Sequence, residues 1–191
     1  MAKDMTEIRW HARGGQGAKT AATLVAQVAL EEGKQSQGFP EYGPERMGAP
    51  IRGFTRISDK AIRLHCPIEQ PDVIVVLDET LIGMPSITEG AGADTIFLIN
   101  SAAEPAEMRK TLGISGGKVM CVDATKISLD ELGRDIPNTP MIGALIKATA
   151  CISMETMKKD FEHKFLKKFG ERIVQGNVRS IQRAFEEVKS E

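Results

Sequence analysis

The residues best suited to chemistry fall in two short stretches near the N-terminus. The first is Arg13-Gly14-Gly15-Gln16-Gly17-Ala18-Lys19-Thr20, where strand-forming residues give way to a helical pattern. Backbone N–H groups at a helix start lack partners and carry partial positive charge, and glycines let a pyrophosphate or carboxylate approach them. Arg13, Gln16, Lys19 and Thr20 add charge and hydrogen-bonding groups. Binding of an anion is the chemistry these types suggest. Known fingerprints fit poorly. A Walker loop needs an upstream glycine and a glycine directly before its lysine, but Ala18 precedes Lys19. A Rossmann loop needs a third glycine where Thr20 stands. Its acidic partner, about twenty residues on, would be Glu41, which lies in a proline-glycine stretch and not at the end of a second strand. Three uses stay open: an autonomous nucleotide site, a tight structural turn, or a surface shared with a ligand or another chain.

The second stretch, Phe39 to Pro50, holds the only tyrosine, Tyr42, together with Glu41, Glu45 and Arg46. Pro40, Pro44 and Pro50 restrict it, which lowers the entropy lost on ordering. Glu41 and Glu45 could act as general acids or bases, yet neither metal-ligand spacing nor a nucleophile–base pairing accompanies them. Glu41, Tyr42, Gly43, Glu45, Arg46 and Met47 read as interface anchors, with ligand contact and a simple turn as alternatives. His11, His65 and His163 have no evident partners; His11 reads as a core or edge residue. Asp78 ends an apolar run, so it either faces a ligand crevice or caps the next helix. No catalytic residue and no metal site is assigned to the chain.

These stretches need a scaffold to hold them. Thr6–Ala12 predicts a first strand, and Ala18–Glu32 a helix whose alanines suit close packing on a sheet. Gln35–Arg52 has neither period and reads as a long loop. Gly53–Ile57 and Ala61–Leu64 read as a hairpin. The β-branched runs at 72–78, 94–100 and 118–123 suit strands covered on both faces. Helical patterns occupy 79–87, 104–112, 140–158 and 172–189. Alternating strands and helices predict an α/β fold: a three-layer α/β/α sandwich with a largely parallel sheet and an antiparallel hairpin at one edge.

The chain has 191 residues, which suits one domain, and a formal net charge of −1, which argues against nucleic-acid binding. It lacks an apolar run long enough for a membrane span and an apolar core near its N-terminus, so a cytoplasmic location is expected. Cys66, Cys121 and Cys151 are scattered and form no C-x-x-C pair, so they read as buried, reduced thiols and not as cluster ligands.

Taken together, R-G-G-Q-G, then F-P-E-Y-G-P-E-R-M-G-A-P-I-R-G-F-T-R-I, then P-D-V-I-V-V-L-D-E, closely resemble the gamma subunit of pyruvate:ferredoxin oxidoreductase and its 2-oxoacid relatives, nearer the pyruvate or 2-oxoisovalerate branch. The resemblance spans most of the chain and is strongest from Ile8 to Glu79. It implies one gamma-type domain over 1–191, inactive by itself, within an enzyme that converts a 2-oxoacid to acyl-CoA and CO2 and reduces ferredoxin. It further implies alpha, beta and delta-type partner subunits, with thiamine diphosphate, Mg and iron–sulfur clusters held by other subunits. Coenzyme A is then a candidate visitor to Arg13, Gly14, Gly15, Gln16, Gly17 and Lys19. A free-standing nucleotide-binding protein and a purely structural adaptor are the rival readings.

Overall fold

The computed structural model describes residues 4–41 and 47–191. β1 (Met5–Arg13) is the central early strand, and α1 (Ala18–Glu31) follows it directly. Two antiparallel strands come next, β2 (Gln35–Pro40) and β3 (Pro50–Ser58). The chain then alternates: β4 (Val73–Val76), a 3-10 turn (Glu79–Leu81), α2 (Pro85–Thr88), β5 (Ile96–Asn100), α3 (Pro105–Leu112) and β6 (Lys118–Val122). Four helices close the fold, α4 (Ala124–Leu132), α5 (Asn138–Thr149), α6 (Met154–Phe169) and α7 (Glu171–Glu187), before a short β7 (Lys189–Ser190).

The sheet order is β2-β3-β1-β4-β5-β6-β7. β1, β4, β5 and β6 run parallel, with antiparallel strands at both edges. Alternate residues on each strand feed separate cores. Trp10, Val75, Leu98 and Met120 pack with α1 and α4–α7, while Ile74, Val76, Phe97 and Ile99 pack with α2, α3 and the 3-10 turn. The three layers expected from the strand–helix alternation are therefore present. Trp10 and Phe54 are almost wholly enclosed, and each such side chain stabilises the fold by roughly 1.5–3 kcal/mol.

Two elements differ from the sequence expectation. The hairpin uses Gln35–Pro40 as its second strand, paired with β3 from Gln35↔Ser58 to Pro40↔Gly53, whereas Ala61–Leu64 forms no strand. Proline and glycine disguised β2, but it is an edge strand, where Pro40 needs no ladder partner on its open side. Gly38 is there because α1 lies against it: a Cβ would sit 2.7 Å from the Ala22 carbonyl oxygen. The single helix expected over 140–158 is two. Ala150 turns left-handed at φ 51°, ending α5, and Ser153 starts α6 by accepting a hydrogen bond from the Thr156 N–H. The stretch at 79–87 holds only the 3-10 turn and the start of α2, and α4, unmarked in the sequence reading, fills 124–132.

Candidate functional site

A parallel sheet opens a crevice where neighbouring strands send their following helices to opposite faces. β1 and β4 do this: α1 packs on one face, and the 3-10 turn and α2 on the other. The glycine stretch leaves the end of β1 at that point, opposite Asp78 at the end of β4.

The turn is held by its own side chains. Gln16 Oε1 accepts from the Arg13 N–H at 2.7 Å, and Gln16 Nε2 donates to Asp78 Oδ2 at 2.7 Å. Arg13 donates from Nε and Nη2 to Thr80 Oγ1 at 3.0 and 2.9 Å, and from Nη1 to the Gly48 carbonyl at 3.2 Å. Its guanidinium lies 3.5 Å from the Asp78 carboxylate. Burial disfavours the charge on Asp78, but hydrogen bonds from Thr80 and Gln16, with Arg13 nearby, outweigh it and hold the carboxyl below its ordinary value. Asp78 also accepts from the Thr80 N–H at 2.9 Å, which makes it the cap of the 3-10 turn. Of its two sequence readings, the cap is realised.

Gly15 and Gly17 have φ of 102° and 83°, a region that strains residues with a Cβ. Gly17 precedes α1 and has no side chain to cap it; Asn138 at the start of α5 donates to its carbonyl at 3.4 Å. A Cβ at Gly17 would lie 2.4 Å from Asn138 Nδ2, so close approach and turn both select glycine here.

The two stretches singled out in the sequence meet. Gly14 N–H donates to Ala49 O at 2.8 Å, and Gly48 N–H donates to Gly14 O at 3.0 Å. Met47, 90% exposed, stands beside Gly15. Glu41, at the other end of the second stretch, is clamped by Arg52 through two bonds of 2.5 and 2.6 Å, which keep its carboxyl below the usual glutamate value. Tyr42, Gly43, Glu45 and Arg46 lie outside the described residues. Gly15, Lys19 and Thr20 are exposed, and Lys19 has no ion pair among the described residues. The accessible rim is thus Gly15, Lys19 and Met47, with Arg13 and Gln16 behind it as struts.

A polar hollow of about 300 Å3 adjoins the rim at the ends of β4, β5 and β6, lined by Gln16, Asp78, Asn100, Asp123 and Asp135 among others. Thr80, Asn100 and Asn138 went unnoticed in the sequence. Only Asp78-Glu79-Thr80 carried a local signal, an aspartate capping the N–H two residues on. Cys121 is buried, which pushes its thiol up to about 12, and Cys151 is buried and raised for the same reason. Cys66 is exposed, contrary to the expectation of a buried thiol. Among the described residues no His, Cys, Asp and Glu group has metal-holding geometry, and no helix is long and apolar enough to cross a membrane.

Comparison with known proteins gives a consistent picture. The chain is 49% identical to pyruvate synthase subunit PorC of Thermotoga maritima, over 99% of this chain and 97% of that one. It is 42% identical to the pyruvate/ketoisovalerate oxidoreductases common subunit gamma of Thermococcus kodakarensis, over 95% of this chain and 96% of that one. The crystal structure of the Thermotoga maritima pyruvate oxidoreductase subunit PORC superposes with a TM-score of 0.88 at 47% identity, covering 98% of this chain and 99% of that one. A 2-oxoglutarate:ferredoxin oxidoreductase from Magnetococcus marinus shares the fold at a TM-score of 0.78 and 20% identity, matching 95% of this chain to 30% of its own. Residues 7–187 match the family described as pyruvate ferredoxin/flavodoxin oxidoreductase, and the chain belongs to that family.

Proposed function

We propose that this chain is the gamma subunit of a 2-oxoacid:ferredoxin oxidoreductase acting on pyruvate, and that it packs on the catalytic subunits while shaping the coenzyme A entrance. One observation carries the reading: its near-complete, 49% identical match to a pyruvate synthase subunit. The relatives named as common to pyruvate and ketoisovalerate enzymes support a further point. A subunit shared between substrates leaves the choice of 2-oxoacid to its neighbours. The alpha, beta and delta-type subunits would then hold thiamine diphosphate, Mg and the iron–sulfur clusters, with ferredoxin met through the complex in the cytoplasm.

Within that assembly the accessible rim has a defined task. Lys19 stands on the first turn of α1, where the helix dipole also favours an anion, so it is placed to pair with a coenzyme A phosphate. Exposed Gly15 leaves backbone open beside it. Glu41, Tyr42, Gly43, Glu45, Arg46 and Met47 would bear on a neighbouring subunit. In the assembled complex, Lys19→Ala should raise KM for coenzyme A about tenfold, the worth of ~1.4 kcal/mol, with kcat unchanged. Gly15→Val, strained at φ 102°, should raise the same KM or weaken assembly. Unchanged kinetics of both variants in a fully assembled enzyme would remove the coenzyme role.

The structural-adaptor reading has its own support. Arg13 and Gln16, two groups able to bind phosphate, are bonded within the chain. It predicts an unaltered KM in Lys19→Ala and loss of co-purification when residues 42–46 are replaced by a glycine-serine linker.

A further inference from the structure

On the sheet face that carries α2, the ends of β1 and β3 and the 3-10 turn enclose a cavity of about 270 Å3 that the glycine turn does not line. Its walls include His11, Glu41, Arg52, Leu81, Met84 and Ile87. His11 is only 3% exposed. Its Nε2 accepts from Arg9 Nε at 3.0 Å, and Arg9, itself buried, also donates from Nη2 to the carbonyls of Ser86, Ile87 and Glu89. A guanidinium only donates, so Nε2 of His11 carries no proton. Burial, with Arg9 and Arg52 nearby, lowers the ring to about 3 and keeps it neutral. The single ring proton is therefore on Nδ1. That N–H has no partner among the described residues, where no sealed side-chain nitrogen goes unpaired. Nδ1 is therefore the ring nitrogen left to serve an occupant of the cavity that His11 lines.

The character of the cavity selects its occupant. Leu81, Met84 and Ile87 make an apolar wall, and the His11 N–H is a neutral donor set into it. Arg52 is engaged by Glu41, and Glu89 adds another carboxylate to the lining, so an anion finds no uncommitted cation. The volume lies below the range of roughly 300–1,000 Å3 usual for small-molecule sites, and suits one residue with its peptide group. Met84 is 38% exposed at this site, which the Glu41–Arg52 ion pair also lines. Methionine's flexible thioether suits a contact surface that must fit a partner.

We propose that this cavity is a socket for a neutral segment of a neighbouring subunit. A peptide or carboxamide carbonyl accepts from His11 Nδ1–H, and an apolar side chain packs on Leu81, Met84 and Ile87. The proposal rests on the subunit reading above and names a contact within it.

The test measures the affinity of the full chain for the remaining subunits. Met84→Glu places a charge at a partly exposed wall position, so the chain keeps its fold, and affinity should fall about tenfold or more. Leu129→Glu on α4, also exposed, should leave affinity unchanged. His11→Asn, which can accept from Arg9 and still present an N–H, should retain most of the affinity, while His11→Leu should lose it among molecules that remain folded. Should His11→Leu fail to fold, Met84→Glu decides alone. Equal affinity of Met84→Glu and wild type overturns the socket. So does saturable binding of N-methylacetamide or acetate to the isolated chain with assembly unaffected by Met84→Glu, which would make the cavity a small-molecule site. Failure of the wild-type chain to associate at all refutes the subunit reading instead, a distinct result.

Discussion

Arg9 and His11 stand two apart on β1 and so share a face of the sheet; their contact sets how the molecule meets acid. A histidine titrates near 6.5 when unfolded, but burial holds His11 near 3 in the fold. Between those values the unfolded chain binds a proton that the folded chain does not. Its contribution to stability is complete above about pH 6.5 and declines as pH falls towards 3. From pH 6.5 to 4.5 the loss should approach about 2–3 kcal/mol, read as a falling urea midpoint, and His11→Asn should flatten that slope. A wild-type midpoint constant over this interval would contradict the assignment. Asp78 and Glu41, both depressed, act in the opposite sense: their stabilisation is present above the ordinary carboxylate range and lost as pH drops below it. At Gly17, alanine should cost about 1–3 kcal/mol, because φ 83° strains it and its Cβ meets Asn138; thermal melts would show it. That glycines ruled this turn was legible from their spacing alone. Thr80 and Asn138 were not, since they arrive from residues 67 and 121 positions away from those they bond.

At the scale of elements, residue pattern reported the strands that bury both faces and missed β2 at the sheet edge. The runs that became β4, β5 and β6 stood out because both their faces are enclosed. β2 did not, because an edge strand tolerates Pro40 and needs Gly38 against α1, and those two residues imitate a loop. The break between α5 and α6 was hidden too: Ala150 takes a left-handed turn usually marked by glycine. α5 lies close on α7 at Gly143, where a Cβ would sit 2.0 Å from Ile181 O. Gly143→Ala should therefore destabilise by about 1–3 kcal/mol through forced separation of the helices, measurable by chemical denaturation. Wild-type stability in that variant would show that the helices yield freely.

Across the whole molecule, the chain supplies a seven-stranded sheet with two features at one end: the rim of Gly15, Lys19 and Met47, and the cavity beside His11. Neither assembles a nucleophile with a base, nor, among the described residues, a metal-holding group. The sequence pointed to the family through two motifs in family order. It could not show that Arg13 and Gln16 would be taken up by Thr80, Gly48 and Asp78, because those partners are brought by folding. The sharpest test is reconstitution. The other subunits of the oxidoreductase are purified and mixed with or without this chain, and pyruvate- and coenzyme A-dependent acyl-CoA formation is followed with ferredoxin reduction. The expected result is turnover only in the mixture containing the chain, which elutes with its partners. Equal turnover without it, or turnover by the chain alone, would contradict the assignment.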